Sequence, residues 1–288
     1  MRVVRIPGRL TALSPIYHGG NEKTGSVVLL NRLRFIVEGK PTDVPVISGN
    51  QIRGRLRRLL TRDFLEGVGY ELDLAQKRHQ KLYHTLFAGG VLTEVEEGES
   101  GVVDLDLKSR LVRYIVPLRL FGASYGNQMI EGRLSVGFAL PICRELQEFL
   151  GIQSDVSFYQ LISRAFQTRR DELRAGGKDS GKEGGGEEDE TVQMIVEYEV
   201  FAPGTQFFHE LVVEDTEEGL DLDLSALYRA VRLWQEAPYI GGKSSAGFGR
   251  LRIEYSWPDG VSDQAYLEYV ERNRDEIRRA LDELAETL

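Results

Sequence analysis

A run of arginines follows a short stretch of small and amide residues, and this combination could bind phosphate. Ser48, Gly49 and Asn50 would leave backbone N–H groups accessible at the start of a helix, where the helix dipole favours an anion. Arg53 and Arg57 are four residues apart, so they share one helix face and could hold neighbouring phosphates. Five arginines between positions 53 and 62 favour phosphate binding over an ordinary capped helix. The helix would bury its apolar side and present guanidinium groups on the other.

A glycine-rich segment at 241–250 is the second candidate for phosphate binding. Glycine permits close backbone approach, while lysine and serine donate hydrogen bonds to phosphate oxygens. A P-loop would need glycine at position 237, which is Ala237, and the segment precedes a predicted strand instead of opening a helix. We therefore exclude nucleoside-triphosphate binding, and a plain turn remains the alternative. The candidate phosphate ligands are Gly241, Gly242, Lys243, Ser244 and Ser245.

The histidines, the carboxylates and the single cysteine give little support for catalysis or metal binding. His79 and His84 are five residues apart, which is the wrong spacing for a helical zinc pair. Cys143 alone can form neither a disulfide framework nor a Cys-based zinc site. His18 lies in a glycine-rich loop, where it could act as a general base for RNA cleavage or make a packing or hydrogen-bonding contact. We expect no catalytic residue, no metal and no cofactor.

The elements that would position these residues are of mixed type. An apolar stripe from Ile52 to Phe64, capped at Ser48 or Asn50, predicts the basic helix. Further helices are predicted at 71–87, 144–150, 158–173, 224–234 and 266–288. Strands are predicted at 3–13, 27–37, 112–121, 133–140, 191–200, 206–213 and 251–255. Residues 175–190 are rich in glycine and acids and predict a flexible exposed loop. This order favours an α+β fold with an antiparallel sheet and helices on one face, and a ferredoxin-like core fits it.

Charge is distributed unevenly along the 288 residues. The chain has 36 Lys and Arg against 45 Asp and Glu, for a net charge of −9. Residues 1–64 nevertheless hold 12 basic and 4 acidic side chains. This asymmetry predicts a polyanion-binding face on an acidic body, with arginines on a solvated surface as the alternative. With no apolar run of membrane-spanning length and no signal-peptide pattern, we expect a cytoplasmic protein with no membrane partner.

Three motifs, taken in order, carry a resemblance to a known family. They are residues 13–20 (LSPIYHGG), 45–57 (PVISGNQIRGRLR) and 240–250 (IGGKSSAGFGR). Together they resemble the RAMP superfamily of CRISPR systems, and within it the backbone subunit of class 1 interference complexes. The stretch 18–25 (HGGNEKTG) is most similar to the type IV version.

The resemblance implies a single domain over residues 1–288. Its palm, ferredoxin-like or RNA-recognition-like, would comprise about 1–64 and 200–288, with a finger insertion at about 65–110 and a thumb insertion at about 158–197. Copies would stack in a helical filament along a guide RNA, each holding the RNA backbone while the thumb interrupts base pairing. The residues implied to bind RNA are Lys23, Ser48, Gly49, Asn50, Arg53, Arg57, Arg169, Arg170, Gly241, Gly242, Lys243, Ser244 and Ser245.

The implied partners are a CRISPR guide RNA, further copies of the chain, other subunits of the complex and a target nucleic acid, DNA in preference to RNA. Type III members cut target RNA with an aspartate after the first glycine-rich motif, but residues 24–34 hold no acid and Glu22 lies too early. We therefore expect a non-catalytic binder in antiviral and anti-plasmid defence. The alternative is a RAMP-family endoribonuclease that processes repeat RNA with His18 as general base.

Overall fold

The computed structural model describes residues 2–24, 27–90, 104–126, 128–170, 193–215 and 219–288. The α-helices within them are α1 (Gly49–Val68), α2 (Lys77–Ala88), α3 (Leu105–Tyr114), α4 (Val116–Phe121), α5 (Gln147–Leu150), α6 (Leu220–Glu236), α7 (Gln264–Arg272) and α8 (Arg274–Thr287). The strands are β1 (Arg2–Ala12), β2 (Gly19–Thr24), β3 (Val27–Leu30), β4 (Arg32–Val37), β5 (Lys40–Pro45), β6 (Ala123–Tyr125), β7 (Gln128–Ile130), β8 (Leu134–Val136), β9 (Leu140–Pro141), β10 (Ile162–Arg170), β11 (Gln193–Phe201), β12 (Gln206–Asp215) and β13 (Leu251–Tyr255).

The main sheet has the strand order β13–β1–β12–β8, with β9 also paired to β12, and every pairing is antiparallel. The long ladder between β1 and β12 runs from Arg2 opposite Asp215 to Thr11 opposite Gln206. Alternate residues of β1 such as Ile6 are fully buried, because successive side chains of a strand point to opposite faces. Helices α1 and α6 pack together over this buried face. The predicted α+β class with antiparallel sheets is therefore confirmed.

A second sheet has the order β10–β11–β3–β2. Its longest ladder joins β10 and β11 from Ile162 opposite Phe201 to Arg170 opposite Gln193. The helix predicted at 158–173 is therefore wrong, since only a short 3-10 turn (Phe158–Leu161) precedes strand β10. Nine residues of β10 pair with a strand that is distant in sequence, and that pairing outweighs the local pattern. The predicted loop at 175–190 lies outside the described residues.

The strand predicted at 112–121 is also wrong, because this segment is helical in α3 and α4. Asp104 caps α3 by accepting a hydrogen bond from the Leu107 N–H at 2.8 Å, and Pro117 lies in the first turn of α4. All six residues of α4 are buried, including Arg119, which pairs with Asp223, so the segment has no exposed polar face and shows no helical period in sequence. A short apolar run of this kind cannot be distinguished from a buried strand by periodicity.

Helix α1 begins at the cap that the sequence predicts and continues to Val68, four residues beyond the apolar stripe. The Ser48 hydroxyl accepts a hydrogen bond from the Gln51 N–H, and Gly69 ends the helix in the left-handed conformation. Two other helices differ from prediction, since α2 begins only at Lys77 and the carboxy-terminal helix divides at Asn273. Among the described residues, no helix is both long and apolar enough to cross a membrane.

Candidate nucleic-acid interface

The three sequence motifs meet in the folded chain, and we call residues 13–20, 45–57 and 240–250 together the motif junction. The Gly242 N–H donates to the Tyr17 carbonyl oxygen at 3.0 Å, which joins the first motif to the third. The Ser48 N–H donates to His18 Nε2 at 3.1 Å, which joins the first motif to the second. The first motif therefore lies between the other two.

His18 is partly buried at this junction and serves as a hydrogen-bond acceptor. Burial lowers its pKa below the ordinary value for histidine, so the ring is neutral at neutral pH. A neutral imidazole has one nitrogen lone pair, and the Ser48 N–H occupies the one on Nε2. The geometry matches the hydrogen-bonding role that the sequence left open beside catalysis.

The start of α1 is only partly exposed. Gly49 is buried, and a Cβ there would lie 2.3 Å from the Val136 carbonyl oxygen, so glycine is needed for close packing against β8. Ser48 uses its hydroxyl for the helix cap, whereas Asn50 is exposed. Of the three residues predicted to bind phosphate here, Asn50 is the one with its side chain at the surface.

Arg53 and Arg57 do not project into solvent as predicted, because the carboxyl end of α4 accepts their hydrogen bonds. The Nη2 atom of each lies 2.5 Å from the Phe121 carbonyl oxygen, and Arg57 also donates to the Gly122 carbonyl oxygen at 2.9 Å. Carbonyl groups at the end of a helix carry partial negative charge and attract cations. The absence of a Cβ at Gly89 leaves room for the Arg57 guanidinium, since a Cβ there would lie 2.4 Å from Nη1.

These arginines keep their positive charge. Burial, with a smaller contribution from the charge of Arg53, lowers the pKa of Arg57 to about 10. Both arginines remain cations at neutral pH. Within the described part of the chain, Arg53, Arg57 and Arg58 form no ion pair. The buried Arg53 Nε also has no hydrogen-bond partner there. The cluster is therefore charged and incompletely satisfied.

A cleft of about 690 Å³ opens beside these guanidinium groups, between α1, α2, α4 and the β6–β7 hairpin. We call it the arginine cleft. Glu131 is the one carboxylate among its described lining residues, against three arginines. The lining residues that matter below are Arg53, Arg57, Arg58, Tyr83, Phe87 and Glu131.

The glycines of the third motif serve contact between motifs. Gly241 has a φ of +82°, and a Cβ there would lie 2.3 Å from the Tyr17 carbonyl oxygen. The first motif thus already occupies the close approach that was predicted for a phosphate. Ser244 and Ser245 are exposed in a short 3-10 turn, where their hydroxyl groups are accessible.

Lys243 has internal partners where a phosphate was predicted. Its Nζ donates to Gln167 Oε1 at 2.8 Å and to the Tyr198 hydroxyl at 2.9 Å. The ammonium also lies 4.1 Å from the centre of the Tyr198 ring, within range of a cation–π contact. Because Gln167 is on β10 and Tyr198 on β11, Lys243 joins the motif junction to the ladder between these two strands.

The remaining predicted RNA ligands lie on the second sheet. Lys23 is on β2, and Arg169 and Arg170 are at the end of β10. Their backbone positions share one sheet, while their side chains lie outside the described part of the structure. Their role as RNA ligands therefore stays a prediction.

Four residues that line the arginine cleft were not predicted from the sequence as a group: Arg58, Tyr83, Phe87 and Glu131. The Tyr83 and Phe87 rings are stacked, with centroids 4.5 Å apart and an angle of 20° between planes. Their i, i+4 spacing was a usable signal, since it places two aromatic rings on one face of α2. In the described residues, no group of three or more His, Cys, Asp or Glu side chains could hold a metal ion.

The fold has a counterpart among solved structures. It is similar to a chain of a structure described as "Type IV-B CRISPR Complex", with a TM-score of 0.61 and 19% sequence identity over 91% of this chain and 97% of that chain. A likeness at this identity establishes a shared fold.

The family follows from the sequence itself. The profile of the RAMP superfamily matches residues 9–252, so the chain belongs to the RAMP superfamily, as predicted from its three motifs. No functionally curated protein matches the sequence significantly.

Proposed function

We propose that the chain is a non-catalytic backbone subunit of a CRISPR effector complex and binds the phosphates of a guide RNA. The observation that carries the proposal is the cluster of α1 guanidinium groups at an open cleft, with no carboxylate paired to them among the described residues. Family membership and the likeness to a chain of a CRISPR complex support the same role.

Phosphate suits the arginine cleft on chemical grounds. A guanidinium group presents several N–H donors in a planar fork and remains charged, so it binds phosphate through paired charge-assisted hydrogen bonds. Partial burial of Arg53 and Arg57 reduces the screening of their charge by solvent. An anion in the cleft would offset the repulsion between the two arginines.

The finer architecture of the proposal also has support. The sheet order β13–β1–β12–β8, with α1 after β1 and α6 before β13, is the order expected of a ferredoxin-like palm. The β10–β11 hairpin falls in the range assigned to the thumb. We further propose that copies assemble along the guide as a filament with other subunits, and that the target is DNA.

The His18 nuclease is the weaker alternative, because a general base needs a free lone pair. The lone pair of Nε2 already accepts the Ser48 N–H, and a neutral ring carries its proton on Nδ1. The test is incubation of full-length protein with repeat RNA. We expect the RNA to stay intact, and cleavage that His18→Ala abolishes would favour the nuclease.

RNA affinity as a function of salt tests the phosphate contacts. For single strands, the log–log slope of affinity against salt is about −0.7 per phosphate contacted. Replacing both Arg53 and Arg57 by alanine should reduce the magnitude of the slope by about 1.4 if each holds one phosphate. Arg279→Ala is the matched control, because Arg279 is an exposed arginine on α8.

An unchanged slope would remove the two arginines from the RNA interface. Since Arg57 is nearly buried and its loss could affect folding, the exposed Arg58→Ala is measured in parallel, with an expected change of about 0.7. Expression with a matching CRISPR array provides the assembly test: we expect RNA of discrete guide length in a large particle. Protein that elutes as a small species free of nucleic acid, together with a newly cut transcript, would contradict the proposed binding role.

A further inference from the structure

Tyr83 and Phe87 form a small aromatic surface on α2. Their rings are nearly parallel, 4.5 Å apart between centroids, and both line the arginine cleft. Phe87 packs against the protein core, which fixes its position, whereas Tyr83 is 40% exposed. An aromatic face held by the core and open to a charged cleft is suited to stacking.

The aromatic surface shares this cleft with cationic groups. Arg53, Arg57 and Arg58 line it from α1, and the Arg58 guanidinium lies against Gly54, where a Cβ would be 3.2 Å from its Nη1. Cations for a phosphate and an aromatic face for a base are the two halves of a nucleotide-binding surface. The cleft volume of about 690 Å³ is within the range of roughly 300–1,000 Å³ typical of small-molecule sites.

We infer that the arginine cleft binds one nucleotide of a single RNA strand, with the base stacked on the Tyr83–Phe87 pair and its phosphate on the arginines. The inference rests on the proposed function, because it assumes that the chain binds RNA. It adds a base contact, where the proposed function needs contacts to the backbone only.

Stacking on these rings accepts any base. Every base has a π-face, so contact with an aromatic platform is sequence-tolerant, and its strength does not depend on reading the base edge.

A free mononucleotide could supply the same base and phosphate groups. The strand is favoured because several cations line the cleft, Arg53, Arg57 and Arg58, and one carboxylate, Glu131, opposes them.

The test compares two RNA ligands of equal length and charge: a single-stranded oligonucleotide and its abasic counterpart, which keeps the sugar–phosphate backbone. Full-length wild type, Tyr83→Ala and Tyr83→Phe are titrated with each. Phe149→Ala is the matched control, because Phe149 is an exposed aromatic residue (57%) outside the cleft. Circular dichroism verifies that each variant is folded.

We expect Tyr83→Ala to weaken binding of the base-bearing RNA by about 5- to 150-fold, which corresponds to 1–3 kcal/mol for one stacked base. Binding of abasic RNA should not change, and Tyr83→Phe and Phe149→Ala should bind both ligands like wild type. The salt slope of Tyr83→Ala should match wild type, whereas Arg58→Ala should reduce it by about 0.7. If Tyr83 had only a structural role, Tyr83→Ala would bind both RNAs more weakly and to the same degree.

Three outcomes overturn the inference, and the first of them leaves the proposed function standing. If wild type binds RNA but Tyr83→Ala binds both ligands like wild type, or both equally worse, the base subsite is wrong and RNA binding stands. If adenosine monophosphate binds with this Tyr83 dependence while RNA does not, the ligand is a free nucleotide. If wild type binds neither RNA at low salt, the proposed function fails as well.

Discussion

Two arginine clusters contact α4, and they differ in how their charge is balanced. Arg119 and Arg133 both contact the fully buried Asp223, at 2.7 and 2.9 Å from its carboxylate oxygens. Arg53 and Arg57 instead share the carbonyl oxygen of Phe121 and line an open cleft.

The kind of acceptor distinguishes arginines that stabilise the fold from arginines that can still bind an anion. A carboxylate neutralises a buried guanidinium and joins α4 to α6 in the first cluster. A carbonyl group carries only a partial charge, so the second cluster retains most of its field. Counting basic residues in sequence cannot make this distinction, because it depends on where Asp223 folds.

The largest expected effect is on stability, from removal of the carboxylate that Arg119 and Arg133 share. Asp223→Ala should lower the free energy of unfolding by about 3–5 kcal/mol, because it removes the carboxylate that pairs with the buried guanidinium of Arg119. Denaturant unfolding measures it, with Glu131→Ala as control for loss of an exposed carboxylate, which should change stability by under about 0.5 kcal/mol. A loss below about 1 kcal/mol for Asp223→Ala would mean that the clusters do not differ as described.

Acid should weaken the core while leaving the arginines charged. Burial lowers the pKa of His209 to about 4, and both ring nitrogens are used, Nε2 by the Gly137 carbonyl oxygen and Nδ1 by the Tyr255 hydroxyl. Below pH 6.5 the unfolded chain therefore binds a proton that the folded chain does not. Stability should fall as pH falls from 6.5 towards 4, by about 2 kcal/mol between pH 7 and pH 5. Unfolding of His209→Gln should lose this part of the pH dependence, and an identical profile would refute the assignment.

Inorganic phosphate should stabilise the folded protein by binding to the arginines of the cleft, and not to the pair of arginines that contact Asp223. At ten times its dissociation constant, an anion that binds only the folded state adds about 1.4 kcal/mol to the free energy of unfolding. Thermal unfolding in phosphate and in chloride at equal ionic strength measures this difference. Arg53→Ala with Arg58→Ala should abolish it. Stabilisation that survives these two substitutions would place the anion elsewhere.

The smallest expected effect comes from the acid inside the cleft. Glu131→Gln should strengthen RNA binding by up to about fivefold, because it removes a negative charge near the phosphate at an exposed position. Fluorescence anisotropy at low salt detects a change of this size. Glu286→Gln, an exposed acid on α8, is the control, and equal effects of the two would indicate only a response to net charge.

The sequence predicts the fold where patterning is strong. The apolar stripe from Ile52 and the cap at Ser48 identify α1, and the strands predicted at 3–13 and 206–213 correspond to β1 and β12. The failures at 112–121 and 158–173 have physical causes: α4 is buried on every side and so lacks a period, and β10 is fixed by its pairing with β11. Neither cause is visible in a local window.

For the candidate site as well, the sequence predicts local features but not contacts between distant residues. Its three motifs are evident in sequence, and the structure brings them together. The partners of individual atoms are not evident, because Lys243 contacts Gln167 and Tyr198 and Arg57 contacts Phe121, all distant along the chain. Sequence therefore gives the residue types at the junction, and the fold decides which of them are already occupied.

The shared carbonyl of Phe121 also has a consequence for conformational entropy. Arg53 and Arg57 are held in fixed rotamers by their hydrogen bonds before any ligand arrives. Ordering a free, flexible side chain on binding costs roughly 0.5–1.5 kcal/mol, and two such costs are largely absent here. The cleft is therefore preorganised, and an anion that bound there would meet side chains that are already in place.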